Sequence, residues 1–166
     1  MNVSVQTAGS WRRIFGTLTL AVLLEQLPWS GWALLARPDF VLVGALFWAL
    51  HQPARIGFAM AFFLGLLVDF QDGAVFGQHA IGYVIGVYLV LYLRLRLLQF
   101  DPSRQAAQLF PVLLGVQLVV LLVGWLAVNP PSGLGILIPV LSSTVLWYLI
   151  ALFVRLWHGK GAQDRA

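Results

Sequence analysis

The sequence predicts an all-α, polytopic integral membrane protein, and three observations lead to this fold class. Sixty per cent of the 166 residues are hydrophobic. Only 10% are charged, whereas a soluble domain carries about 25% charged residues. Apolar runs close to or above membrane-spanning length recur between residues 14 and 157. Spans and short connections use the whole length, so a single transmembrane domain over residues 1–166 is expected.

Six transmembrane helices are predicted, at about residues 14–28, 38–51, 55–70, 76–94, 106–128 and 134–157. The first is expected to be an uncleaved span, because no convincing small-residue cleavage site follows its apolar run. The second and third are short against the ~20 residues that cross a bilayer. Five spans plus a re-entrant segment are therefore the alternative. A turn is expected at residues 129–133, which read Asn-Pro-Pro-Ser-Gly.

The basic residues predict the orientation of the spans. With six spans and a cytoplasmic N-terminus, nine of the ten Lys and Arg residues lie inside and only Arg37 lies outside. This is a strong positive-inside bias, and it favours an even number of spans with both termini in the cytoplasm. Topology therefore accounts for the net charge of +4, and no nucleic-acid partner is predicted. The nine inside residues are Arg12, Arg13, Arg55, Arg94, Arg96, Arg104, Arg155, Lys160 and Arg165.

Small residues recur every four positions in two consecutive apolar runs within residues 55–92. On a helix, residues with this spacing share one face. Small side chains let two backbones approach closely, which is how helices commonly pack inside a bilayer. The two faces are therefore expected to pack on each other. The predicted helix-packing residues are Gly57, Ala61 and Gly65 in the first run, and Gly82 and Gly86 in the second.

A polar hinge joins the two runs and contains Asp69, Asp72, Gln78 and His79. An ionisable residue inside a span, such as Asp69, is a functional-site candidate by default. The other interpretation is a polar clip, in which Asp72 begins a turn and His79 donates to Asp69 or to a backbone carbonyl. Since Asp69 is placed near the outer end of its span, Asp69→Asn is expected to be milder than Gly65→Leu.

Catalytic and metal chemistry find little support in the residues. The chain has no cysteine, so thiolate chemistry and disulfides are excluded. Zinc requires three or four ligands, mostly N or S donors, and Asp69, Asp72 and His79 supply only one histidine. We therefore predict no catalytic, cofactor or metal site, and no enzymatic activity. A membrane-embedded hydrolase would require Asp69 and His79 to converge at a water-filled cavity.

Acidic residues collect at the predicted outer ends of the spans. Glu25, Asp39, Asp69 and Asp72 all fall there, with Arg37 as the only base. Three residues form the candidate partner rim: Arg37, Asp39 and Trp32, since tryptophan favours the membrane–water boundary. The rim predicts either a docking surface for an extracytoplasmic partner or the mouth of a small binding cavity. The alternative is that each acid is simply solvated.

Several short motifs, in this order and spacing, resemble the rod shape-determining protein MreD family. They are Arg37-Pro-Asp-Phe, Phe47-Trp-Ala-Leu50, Pro53-x-Arg-x-Gly57, Ala61-Phe-Phe-Leu-Gly-Leu-Leu-x-Asp69, Gly73 and Gly77-Gln-His79. The match is densest over residues 37–83. Elsewhere the chain is compatible with the family in span number and size.

The resemblance implies a small bacterial inner-membrane protein without catalytic activity of its own, acting in cell elongation and peptidoglycan synthesis. It implies MreC as the closest partner and, through MreC, the MreB filament, the RodA glycosyltransferase and the elongation-specific penicillin-binding transpeptidase. It also implies a compact six-helix bundle similar to the substrate-binding subunits of vitamin transporters. The sequence thus favours a membrane scaffold, with a small-molecule-binding subunit of a vitamin-type transporter as the alternative.

Overall fold

The computed structural model describes residues 11–127 and 137–163, and this part of the chain contains seven α-helices and no strand. The predicted all-α class is confirmed. The turn expected at residues 129–133 lies outside the described residues. The helices are α1 (Trp11–Glu25), α2 (Trp32–Leu35), α3 (Phe40–His51), α4 (Phe58–Asp72), α5 (Gln78–Leu97), α6 (Pro102–Ala127) and α7 (Leu137–Gln163).

Four segments of the described chain are long and apolar enough to cross a membrane. They are Trp32–His51, Gln78–Leu97, Pro102–Leu126 and Leu137–Trp157. Helices α1 and α4 have 15 residues each. Fifteen residues rise about 22 Å, less than the ~30 Å thickness of the hydrocarbon core. The chain is therefore a helical membrane protein with four clear spans, and the count of six stays a prediction.

Local sequence explains where the central helices begin and end. The Asp39 carboxylate caps α3 by accepting a hydrogen bond from the Leu42 backbone N–H at 2.7 Å. Gly73 ends α4 with φ 61°, and Gly77 precedes α5 with φ 97°. Both values lie in the left-handed region, which glycine enters without the steric cost that a Cβ brings. These two glycines turn the chain sharply from α4 into α5.

Helix α3 lies at the centre of the bundle. Seven of its 12 residues are buried, and it packs against α1, α4, α5 and α7. Around it, α4 packs on α5, α5 on α6, and α6 on α7. Buried aliphatic side chains and the large Tyr83 and Trp147 fill the core between these helices. This arrangement brings the ends of α1, α3, α4, α5 and α7 together.

Gly65 is the point of closest approach between α4 and α5. A Cβ built on Gly65 would lie 2.4 Å from the Ala80 Cα and 2.5 Å from the Ala80 backbone nitrogen. Contacts this short with backbone atoms leave no room for any side chain. Ala61, one helical turn earlier, is fully buried.

The expectation that the two small-residue faces pack on each other is wrong. A Cβ on Gly82 would lie 2.9 Å from a Val120 methyl, and one on Gly86 would lie 2.8 Å from a Val116 methyl. Both glycines therefore face α6. Consecutive residues on a helix are about 100° apart, so the side of α5 that presents Ala80 to α4 is not the side that presents Gly82.

One further residue of the predicted packing face, Gly57, and one of the predicted polar hinge, Gln78, lie in other environments. Gly57 precedes α4 as an extended N-cap residue, and a Cβ there would meet nothing within 4 Å. The close packing of the α4 face therefore does not extend to Gly57. Gln78 lies against α6, where a Cβ on Gly124 would be 3.1 Å from the Gln78 Nε2. Nothing in the local sequence selects Gly124 as its neighbour.

At the opposite end of the bundle, polar side chains join helices through backbone carbonyls. Arg94 Nε donates to the Leu50 carbonyl at 2.8 Å. The buried Gln105 Nε2 donates to the Leu97 carbonyl at 2.9 Å, and its Oε1 accepts from Trp147 Nε1 at 3.1 Å. These bonds satisfy carbonyls at the C-terminal ends of α3 and α5, which have no partner within their own helices.

Candidate functional site

A polar cluster lies where α4 turns into α5, at the end of the bundle that also holds the start of α3. It draws side chains from α1, α4, α5 and α7 and from the segment before α3. Most of the acidic residues that the sequence singled out meet here. We define the polar cluster as Glu25, Arg37, Asp39, Asp69, Asp72, His79, Tyr83 and Ser143.

Asp69 is the most buried carboxylate of the cluster, with 1% of its surface exposed. Its Oδ1 accepts hydrogen bonds from the His79 backbone N–H and contacts His79 Nδ1, both at 2.8 Å. Its Oδ2 accepts from the Gly77 backbone N–H at 2.8 Å. All of these donors lie at the beginning of α5. The Asp69 carboxylate therefore caps α5 from the last turn of α4.

This capping arrangement answers two physical requirements at once. The first backbone N–H groups of a helix have no partner within the helix, and inside a membrane protein an unsatisfied one costs several kcal/mol. A carboxylate near a helix N-terminus is also stabilised by the helix dipole. The contact between His79 and Asp69 is one of the two contacts the sequence predicted for this histidine.

Asp39 joins three helices at the beginning of α3. Besides capping α3, its Oδ1 accepts from the Tyr83 hydroxyl of α5 at 2.6 Å. Its backbone N–H donates to Ser143 Oγ of α7 at 2.9 Å. The sequence did not identify Tyr83 or Ser143 as site residues. One signal was available for Tyr83, since it lies four residues after His79 and therefore on the same face of α5.

Arg37 connects the ends of α1 and α4. Its Nη2 lies 3.3 Å from Asp72 Oδ2, and its Nη1 donates to the Glu25 carbonyl at 3.1 Å. The ion pair is partly exposed, with 22% of the Arg37 and 35% of the Asp72 side chain accessible. Partly exposed pairs of this kind contribute little stability, typically below about 1 kcal/mol. The main consequence of the Arg37–Asp72 ion pair is that it places Asp72 over the end of α1.

A small cavity of about 140 Å³ opens among these groups. Six members or neighbours of the polar cluster line it: Glu25, Arg37, Asp39, Asp72, His79 and Gln117. Glu25 is 7% exposed, and its carboxyl group faces that of Asp39. The cavity is smaller than the roughly 300–1,000 Å³ of sites for drug-sized ligands.

The predicted site residues thus divide between the polar cluster and other surfaces. Asp69, Asp72 and His79 of the predicted hinge belong to the cluster, whereas Gln78 packs against α6. Arg37 and Asp39 of the predicted partner rim also belong to it and are engaged within the protein. Trp32 lies apart at the start of α2, with 82% of its surface exposed.

The chemistry available to the polar cluster is limited by these internal bonds. Asp69 and His79 do converge, and His79 lines the cavity, but Asp69 is covered by the start of α5 and does not. Among residues 11–127 and 137–163, no group of three or more His, Asp or Glu residues is arranged to hold a metal ion. The cluster's clearest property is that it fastens helices together.

The family model described as rod shape-determining protein MreD matches residues 6–157 of this chain. The chain belongs to the MreD family. The match extends well beyond residues 37–83, where the sequence resemblance is densest, and that resemblance is confirmed. MreD family membership and the long apolar helices together make this chain a helical membrane protein of the MreD family.

A curated relative supports the same family. The rod shape-determining protein MreD of Haemophilus influenzae is 30% identical over 88 residues. The alignment covers 52% of this chain and 54% of the relative, so this MreD family member spans about half the length of the curated relative it matches. No solved structure matches the chain.

Proposed function

We propose that this MreD family member is a non-catalytic scaffold of the cell-elongation machinery in the bacterial inner membrane, with MreC as its direct partner. MreB, RodA and the elongation-specific transpeptidase would be reached through MreC. The proposal includes six spans, with both termini in the cytoplasm. The two short spans are α1 and α4; the second span, expected to be short, reaches 20 residues as Trp32–His51 because it includes α2. The nine-to-one distribution of basic residues supports this orientation.

The observation that carries the scaffold proposal is the internal use of the polar cluster. Asp69 is bonded to the start of α5, Asp39 to α3 and Tyr83, and Asp72 to Arg37. A catalytic acid or base must reach a substrate proton within hydrogen-bond distance. Here these three carboxylates hold helices in fixed positions instead, which is the property a scaffold needs.

Trp32 is the member of the predicted partner rim that is available for docking. It is 82% exposed at the start of α2, close in sequence to Arg37, which fastens the end of α1. Buried tryptophans commonly dominate the binding energy of protein interfaces. We therefore place Trp32 in the surface that meets the extracytoplasmic part of MreC.

The vitamin-transporter alternative gains no support from the family match or from the size of the cavity. It would require a ligand to remain bound through purification. A cavity of about 140 Å³ is small for a vitamin, given the usual range of roughly 300–1,000 Å³.

Co-purification tests the scaffold proposal. Tagged protein would be co-expressed with MreC, extracted in mild detergent and captured, and the bound chains would be identified. We expect MreC to be retained, and Trp32→Ala to reduce its retention without changing the thermal unfolding temperature. Phe70→Ala serves as the matched control, because Phe70 is an aromatic residue of α4 that is also largely exposed, at 73%.

Two results would contradict the proposal. One is the absence of MreC from the captured material combined with normal rod shape in cells that lack the protein. The other is a vitamin-sized molecule retained in stoichiometric amounts, which would favour the transporter alternative.

A further inference from the structure

An apolar groove of about 340 Å³ lies between α1 and α7, with α3 as its floor. Leucine side chains of α1 form one wall, and Leu146 and Ile150 of α7 form the other. The half-buried Gly44 and Phe40 of α3 lie at its base. Aliphatic and aromatic side chains form nearly all of the lining, and Thr17 supplies the single hydroxyl group.

One face of α1 runs along the groove, and at the N-terminal end of the helix this face changes from apolar to basic. Thr17, Leu20 and Leu24 line the groove, and Arg13 precedes Thr17 by four residues. Residues four apart occupy the same helix face, separated by about 6 Å along the axis. The groove wall therefore continues directly into an exposed arginine. A helical side chain leans toward the N-terminus of its helix, which carries the Arg13 guanidinium further beyond the apolar segment.

This end of the groove has the features of a membrane–water boundary. Arg12 and Arg13 are both exposed, and neither forms an ion pair with a carboxylate of the described residues. The Arg55 guanidinium adds a third positive charge, 5.3 Å from the centre of the Trp11 ring. On α7, the exposed Trp157 follows the groove-lining Val154 by three residues. Tryptophan and arginine together are typical of the headgroup level.

The occupant must match both parts of the groove. From Thr17 to Leu24 the apolar lining of α1 extends about 10 Å along the helix axis. Only the end of the groove at Arg13 is charged. A hydrocarbon chain that ends in an anionic headgroup has the same distribution of apolar surface and complementary charge.

We propose that this groove binds one acyl chain of an anionic phospholipid, whose phosphate lies against Arg13 at the first turn of α1. The apolar walls hold the chain, and the basic end selects a negatively charged headgroup. Basic residues next to the membrane attract anionic lipids in this way. No residue of the polar cluster lines the groove, and the Arg13 end lies at the opposite end of α1 from Glu25. The proposal does not depend on the proposed scaffold function.

Native mass spectrometry of the purified protein tests the proposal. The probes are palmitoyl-oleoyl phosphatidylglycerol and the phosphatidylethanolamine with the same chains. We expect one phosphatidylglycerol to be retained in preference to phosphatidylethanolamine. Arg13→Gln should reduce this preference about fivefold, the factor expected for one basic residue at an anionic membrane surface. Arg12→Gln, which lies off the groove face of α1, should reduce it less.

Filling the groove provides a second test. Leu20→Trp places a bulky ring in the groove and should abolish retention of either lipid. Leu23→Trp is the matched control, since Leu20 and Leu23 are each 55% exposed but only Leu20 lines the groove. A photoreactive benzoyl-phenylalanine at position 20 should cross-link to lipid in native membranes.

Three results would overturn the proposal. Equal retention of the two lipids by the wild-type protein would show that the site does not select an anionic headgroup. Equal lipid retention by Leu20→Trp and Leu23→Trp would show that the lipid does not bind in the groove. A cross-link from position 20 to a protein instead of a lipid would show that a partner helix occupies the groove.

Discussion

The Asp69 carboxylate holds His79 by two contacts, one to its backbone nitrogen and one to its ring Nδ1, each 2.8 Å long. One turn earlier on α4, Gly65 meets the backbone of Ala80, the next residue of α5. A steric fit and a polar clamp therefore lie side by side and act on the same turn of α5. Together they fix the position of α5 against α4, and α5 in turn carries Tyr83 to Asp39.

Asp69→Asn is expected to destabilise the protein by about 3 kcal/mol. Both Asp69 oxygens accept hydrogen bonds from the start of α5, and an amide nitrogen cannot accept. Whichever way the Asn side chain is turned, one backbone N–H at the start of α5 loses its acceptor in a site from which water is excluded. Thermal unfolding in detergent would measure the loss of stability.

Asp101→Asn is the matched control for that substitution. Asp101 pairs with Arg155 at 2.6 Å, but 61% of each side chain is exposed, so the change should cost less than about 1 kcal/mol. Equal effects of the two substitutions would show that the bonds of Asp69 to α5 do not stabilise the hairpin.

Gly65→Ala is expected to lower stability by at least 1–3 kcal/mol, roughly the cost of one extra methyl group in a packed core. The new Cβ would lie 2.4 Å from the Ala80 Cα, so α4 and α5 must move apart. That movement also lengthens the bonds from Asp69 to α5. The yield of monodisperse protein and its unfolding temperature would report the effect.

Gly115→Ala in α6 separates this steric effect from helix propensity. A Cβ on Gly115 would meet nothing within 4 Å, and alanine favours a helix over glycine by about 1 kcal/mol. We expect Gly115→Ala to be neutral or stabilising. A stabilising Gly65→Ala would contradict the close contact between α4 and α5.

Tyr83→Phe is expected to lower the free energy of unfolding by about 2 kcal/mol, because the lost hydroxyl donates to a carboxylate. This loss is larger than the roughly 0.6 kcal/mol that an average hydrogen bond between membrane helices contributes. Tyr88→Phe is the control, since Tyr88 is 55% exposed and its contacts with Phe58 and Tyr92 are between rings. Indistinguishable unfolding temperatures for the two variants would show that the hydrogen bond from Tyr83 to Asp39 does not stabilise the protein.

The sequence predicted those parts of the fold that rest on composition and local pattern. The lengths of the apolar runs indicated a helical membrane protein. The small residue Gly65 indicated that another helix could pack closely against α4. The partners of Gly82 and Gly86 were not predictable in the same way. Small-residue spacing shows which face of a helix can be approached closely, but it does not say which helix approaches it.

In the polar cluster, too, the contact between residues close in sequence was predicted, whereas the contacts between distant residues were not. The contact of Asp69 with His79 joins residues only ten apart and was foreseen as one alternative. The contacts of Asp39 with Tyr83 and Ser143 join residues 44 and 104 apart. Nothing in the local sequence brings those residues together. The sequence also does not show how many backbone donors the Asp69 carboxylate satisfies, so the size of the Asp69→Asn effect follows only from the structure.

Single-cysteine labelling would test the six-span topology, and the natural absence of cysteine makes it direct. Gln99→Cys lies between α5 and α6, and Val75→Cys lies between α4 and α5. Both residues are exposed. With six spans, a membrane-impermeant maleimide should label position 75 from outside intact cells and position 99 only after the membrane is opened. Labelling of both positions from the same side would contradict the topology.

Cell shape measured against protein abundance tests most directly whether the polar cluster supports a scaffold and performs no chemistry. A rod-shaped host lacking its own copy would express wild-type protein, Asp69→Asn, Tyr83→Phe or Gly65→Ala, with expression adjusted to give matched amounts of folded protein in the membrane. We expect rod shape to return equally in all four strains once the amounts are matched. Round cells that carry Asp69→Asn at the wild-type amount of folded protein in the membrane would contradict it.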